Sequence, residues 1–96
     1  MSEIIWTQVA LDDLAGIRDY IARDSLYYAE KFVDDVFTAV ERLEQFPESG
    51  RKVPERNDQN FREIIFGMYR IIYRLVRDNV YIVTVVHGKR DFRPDG

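Results

Sequence analysis

The stretch FREIIFGMYRIIYRLVRDNVYIVTVVH, residues 61–87, decides the fold. β-Branched and aromatic residues alternate with polar ones at a period of two, and the pairs Gly67-Met68 and Asp78-Asn79 break the run twice. The pattern predicts strands over 61–66, 69–76 and 80–87, joined as a three-stranded antiparallel meander. With two residues in each hairpin loop, Glu63 faces Ile72 across the first turn, while Arg74 faces Val83 and Arg70 faces His87 across the second. One face of the sheet then carries Ile64, Phe66, Tyr69, Ile71, Tyr73 and Val86, an apolar floor. The opposite face mixes Glu63, Arg70, Arg74 and His87 with Ile65, Ile72, Val83 and Val85, and Glu63 lies diagonal to both arginines. A slip of one residue in either turn would move these side chains to the other face.

The floor needs a cover, and the preceding sequence supplies one. Ala10, Leu14, Ile17 and Ile21 recur at helical spacing, predicting an amphipathic helix over about 8–23. Asp24-Ser25 offers side-chain oxygens to cap a second helix, whose stripe runs from Ala29 through Phe32, Val36 and Val40 to Phe46 before Pro47 stops it. Two helices joined at Asp24-Ser25 form an αα-hairpin. Ahead of them, Glu3 to Thr7 reads as a short strand. Pro47 to Asn60, with two prolines, Gly50 and mixed charges, reads as a surface loop. The expected fold class is α+β: a short amino-terminal strand, the helical hairpin, then the meander, with the helices on one face of the sheet.

Ninety-six residues with 46% apolar and 32% charged content describe a single domain, residues 1–96, that buries its own core. With no cysteine and one histidine, thiolate metal sites and disulfides are excluded. Asp12-Asp13 and Asp34-Asp35 read as solvated helix faces, so no metal and no cofactor is expected. Phosphate-cradling glycine motifs are absent. No leader or membrane-length apolar run appears, which leads us to expect a cytoplasmic location without membrane partners. The net charge of −3 hides a polarity: residues 1–60 hold 7 basic and 13 acidic side chains, residues 61–96 hold 7 and 4. An acidic total with a pI near 5.1 argues against a nucleic-acid-coating protein, while the basic last third could meet an anionic partner.

Two groups of residues could carry chemistry. Glu63, Arg70 and His87 are the types a metal-free ribonuclease needs, a base for the 2′-hydroxyl, a cation for the phosphate and an acid for the leaving oxygen. The plainer reading is that Glu63 neutralises Arg70 and Arg74. His87-Gly88-Lys89-Arg90-Asp91 is a basic cluster after a strand end, or else a solvated tail. Arg51-Lys52 reads as solvated loop. Tyr27 and Tyr28, at the start of the second helix, are candidate interface aromatics.

The order of elements is joined by local motifs: Trp6, Asp12-Asp13-Leu14, Asp19-Tyr20-Ile21-Ala22, Phe46-Pro47 with Gly50-Arg51 and Val53-Pro54, Arg62-Glu63, Tyr69 to Arg74, and Val85 to Asp91. In these the chain resembles the ParE/RelE superfamily of toxins from type II toxin-antitoxin systems, and more particularly the ParE-like, plasmid-stabilisation branch. The resemblance implies a toxin neutralised in a hetero-oligomer by a cognate antitoxin, ParD-like or of another class. RelE-like members cut mRNA in the ribosome, whereas ParE-like members poison DNA gyrase without a recognised active site and cause growth arrest. Arg70 and Arg90 match arginines of the nuclease branch. Its lysines, however, fall here on Arg62 and Ile64, and its late tyrosine has no counterpart before Gly96. The balance favours a gyrase inhibitor with no catalytic residues. Its expected target contacts are Arg70, Arg74, His87, Lys89, Arg90 and Arg93, and its expected antitoxin contacts are Leu11, Tyr27, Tyr28 and Phe37. The alternatives are a ribosome-dependent endoribonuclease using Glu63, Arg70, His87 and Arg90, and a non-toxic interaction module with the same fold.

Overall fold

The computed structural model describes residues 1–92. Strand β1, Glu3–Trp6, is followed by helix α1, Gln8–Ala22, and helix α2, Leu26–Glu41, which runs on into a 3₁₀ turn at Arg42–Glu44. Then come β2, Arg51–Lys52, β3, Phe61–Phe66, β4, Tyr69–Val76, and β5, Asn79–His87. Both helices start at side-chain caps: Thr7 accepts from the Ala10 amide and Ser25 from the Tyr28 amide, satisfying donors that the first helical turn leaves unpaired. The expected α+β architecture is present, with both helices on one face of the sheet.

The sheet has five strands in the order β1-β5-β4-β3-β2, so the meander gains a neighbour on each side. β1 lies parallel to β5 and pairs with Asn79–Ile82. β2, within the segment expected to be loop, pairs with Arg62 and Glu63 of β3. Both flanking strands are short. Ile64 to Phe66 of β3 and Val83 to His87 of β5 therefore each lack a strand partner on one side among the described residues, and on β5 the Val83 carbonyl accepts from the Thr7 hydroxyl and the Val85 amide donates to Asp13 instead.

Register follows the expectation at the first turn and departs from it at the second. Glu63 pairs with Ile72 as read from the sequence. The second turn, however, is Arg77-Asp78, with Arg77 at φ 57°, and β5 begins at Asn79. Arg74 therefore faces Tyr81, not Val83. A bulge opposite Ile72 and Tyr73 then shifts the ladder by one residue, so that Arg70 faces Val86 and Tyr69 faces His87. Asp13 stabilises this bulge, its carboxylate accepting from the Thr84 hydroxyl and, at 3.2 Å, from the Val85 amide. Asp13 is thus engaged with the sheet and is not a solvated helix residue.

The main core lies between helices and sheet: Ala10, Leu14, Val36, Val40, Leu43, Ile71, Tyr73, Val80, Ile82 and Val85 are buried together. Because of the bulge, Val85 takes the helix-side place expected for Val86, and Val86 goes to the other face. There it joins Val53, Phe61, Ile72, Val83 and Phe92 in a second, smaller core beneath the 53–60 loop. Tyr73 ties that loop's approach to the main core. Its hydroxyl donates to the Pro47 carbonyl at 2.8 Å and accepts from the Gly50 amide at 2.9 Å. Any side chain at Gly50 would come within 2.5 Å of that hydroxyl and 2.7 Å of the Glu63 carbonyl, so only glycine fits.

Candidate functional site

On the helix-free face, β-sheet alternation brings Glu63 and Arg70 together from adjacent strands, with relative exposures of 1% and 3%. Arg70 Nε donates to Glu63 Oε1 at 2.7 Å. The same guanidinium makes a two-pronged contact with Glu55 in the loop, Nη1 to Oε2 at 2.6 Å and Nη2 to Oε1 at 2.7 Å. Nη1 also donates to the Arg90 carbonyl at 2.7 Å. Arg51 of β2 closes the line by bonding the second oxygen of Glu63. Charges alternate along Arg51, Glu63, Arg70 and Glu55, which is how the inner three ionised groups are tolerated where water is scarce, while Arg51 caps the line from the exposed side. The Arg70 hydrogen bonds hold the Glu55 carboxyl at about 2 against an ordinary 4.5, with burial opposing and the Phe92 amide assisting. Those to Glu55 push the Arg70 guanidinium further up, against desolvation.

The structure thus joins two of the four residues of the nuclease alternative and separates the third. His87 was expected on the same face as Glu63 and Arg70, but the bulge places it opposite Tyr69, whose ring it meets at 6.0 Å. It borders a groove of about 590 Å³ between α1 and the β4-β5 hairpin, which Asp12, Asp13 and Tyr20 also line. Arg90 contributes its carbonyl to the ionic cluster, while its residue is exposed beside that groove.

The expected target contacts divide in the same way. Arg70 lies inside the molecule with its donors engaged and presents no free cation, a correction to its expected role in contact. Arg74, His87, Lys89 and Arg90 are exposed. Arg74, Lys89 and Arg90 make no side-chain ion pair among the described residues. The tail is shaped by a turn in which the Arg90 amide donates to the His87 carbonyl at 2.9 Å, and the Gly88 amide donates to the Met68 carbonyl at 2.7 Å. Arg93 lies outside the described residues.

The expected antitoxin contacts fall in separate places. Tyr27 and Tyr28 are 70% and 62% exposed at the start of α2, their rings 5.2 Å apart. Phe37 lies roughly 15 Å further along the same helix at 1.5 Å per residue, packed on Trp6 at 4.8 Å between ring centroids. Leu11 is exposed on α1. Tyr20, near the end of α1, and Leu26, at the start of α2, were not named as contacts from the sequence, yet they are nearly as exposed as Tyr27. Glu55 was also missed. It meets Arg70 from 15 residues away in a segment without periodicity, and only the unmatched second cation beside Glu63 hinted that another carboxylate was needed.

The family model described as "ParE toxin of type II toxin-antitoxin system, parDE" matches residues 4–92. The chain belongs to the ParE toxin family. Toxin RelE2 of Caulobacter vibrioides is 34% identical over 91 residues, covering 94% of this chain and 99% of that relative. Y4kP of Sinorhizobium fredii is 38% identical over 91 residues, covering 93% and 91%. In solved structures, a chain of the chromosomal ParDE TA system from P. aeruginosa shares the fold with a TM-score of 0.75. It is 23% identical, and the match covers 91% of this chain and 96% of that one. The ParE-family match takes in Glu55, Glu63, Arg70 and Arg90, so the ionic cluster sits within the family domain itself.

Proposed function

We propose that this ParE-family toxin acts by binding DNA gyrase and blocking its cycle, with no proton chemistry of its own, and that a cognate antitoxin neutralises it. The observation that carries this reading is the complete occupation of Arg70. A guanidinium whose donors already serve Glu63, Glu55 and the Arg90 carbonyl has none left for a scissile phosphate. Glu63 is equally closed, since both of its oxygens are taken by arginines and water scarcely reaches it. General acid-base catalysis needs its groups within hydrogen-bond reach of one substrate, and His87 belongs to a different side of the sheet.

What remains accessible is charge without chemistry. Lys89 and Arg90 project near the end of β5, and Arg74 lies along β4. Such cations suit an acidic patch on a large partner, where complementary charge speeds encounter and fixes orientation. The antitoxin's contact is assigned to the apolar tip of the helical hairpin, where Tyr20, Leu26, Tyr27 and Tyr28 stand largely in water. A supercoiling assay with purified toxin and gyrase tests the target: loss of supercoiling with accumulation of cleaved DNA is expected. Full supercoiling at large toxin excess would refute it. Arg70→Ala-sensitive mRNA cleavage in translating ribosomes would establish the nuclease alternative.

A further inference from the structure

The hydrogen bonds of Glu55 do not end at Arg70. Its Oε2 also accepts from the Phe92 amide at 2.9 Å, and Arg70 donates to the Arg90 carbonyl at 2.7 Å. One ion pair therefore grips the backbone on both sides of Asp91, just beyond Lys89 and Arg90. The neighbouring Arg56 adds a second hold, its guanidinium lying 3.9 Å from the Phe61 ring centroid and 5.3 Å from that of Phe92. The loop bearing both residues is itself fixed: Val53 is buried, its amide donates to the Phe61 carbonyl, and the Arg56 amide donates back to the Val53 carbonyl. Beyond the last ladder pair at His87, the arm's own backbone is tied by the Gly88 amide to the Met68 carbonyl in the β3–β4 turn and by the Arg90 amide to the His87 carbonyl.

We propose that Glu55 and Arg70 are positioning residues that hold the carboxy-terminal arm, and with it Lys89 and Arg90, in the orientation that engages the toxin's target. The inference rests on the gyrase-directed reading above. Its physical basis is preorganisation: an arm fixed before encounter does not lose its freedom on binding, whereas a loose arm must. A bidentate carboxylate-guanidinium contact suits this task because it fixes direction as well as distance.

Glu55 is the residue to change, because removing it leaves Arg70 paired with Glu63 and the sheet intact. Full-length wild type, Glu55→Ala and Glu55→Gln are compared by amide hydrogen exchange and by titration against gyrase supercoiling. In Glu55→Ala, exchange at Phe92 is expected to rise about tenfold or more while amides of the central strands keep their wild-type protection. The toxin concentration for half-inhibition should rise by about the same factor. Glu55→Gln keeps an acceptor for the Phe92 amide and should fall between the two. Unchanged exchange at Phe92 in Glu55→Ala would overturn the clasp. A freed arm with wild-type potency would overturn its positioning role. If wild type itself leaves gyrase untouched, the gyrase reading fails on that result alone, and exchange at Phe92 still decides whether Glu55 holds the arm.

Discussion

Arg70 carries a full charge into a strand face that water hardly reaches, and two carboxylates from opposite directions make this tolerable. Taking away one member of such a cluster is far costlier than its net contribution suggests, since the remaining partners stay buried and uncompensated. Arg70→Ala is expected to destabilise the fold by about 3–5 kcal/mol in chemical denaturation, most of it from Glu63 left with Arg51 alone. Glu55 makes the cluster sensitive to acid. Its carboxyl is lowered to about 2 from 4.5, so its contribution is complete above pH 4.5 and disappears as pH falls from there through about 2. Denaturation midpoints measured across that range should fall in wild type, and Glu55→Gln should lack this component of the fall.

Two close approaches decide how the elements dock. Gly50 lets the chain pass the Tyr73 hydroxyl and the Glu63 carbonyl, so Gly50→Ala should cost about 3 kcal/mol through overpacking, seen as a melting temperature lower by roughly 10 °C or more. Asp13 secures the bulge of β5, and Asp13→Ala should cost about 1–3 kcal/mol by leaving the Thr84 hydroxyl and the Val85 amide without their acceptor. The elements themselves were legible because hydrophobic period announces them: the first helix and the three meander strands lie within a residue of where spacing puts them, while the second helix ends at Glu41 and its 3₁₀ turn at Glu44, leaving Phe46, the expected end of its stripe, exposed. The Glu63-Arg70 contact was legible too, because Gly67-Met68 is the true turn. What could not be read was the course of β5. An arginine at positive φ and a bulge held by an aspartate on a distant helix leave no local pattern, and together they carry His87 away from Glu63. β2 was hidden for a similar reason, since two residues are too few to show a period. Glu55 was hidden because loop segments have none.

At the scale of the molecule, the sheet separates two surfaces. One holds the helical hairpin with its exposed aromatic tip, and the other holds the small second core and the ionic cluster, with Arg90 at the border between them beside the α1 groove. This division lets antitoxin binding and target binding be weakened separately. Tyr27→Ala combined with Tyr28→Ala should weaken antitoxin binding about tenfold or more in calorimetry, as for exposed aromatic anchors, while leaving inhibition by free toxin unchanged. The half-open edge of β3, beyond its short pairing with β2, provides backbone groups to which a partner strand can add. The most direct measurement is induction of this chain alone in a bacterial host, reading DNA-damage response and transcript integrity in the same cells. The account predicts a strong damage response with transcripts intact. Transcripts cut within translated codons, without any damage response, would contradict it.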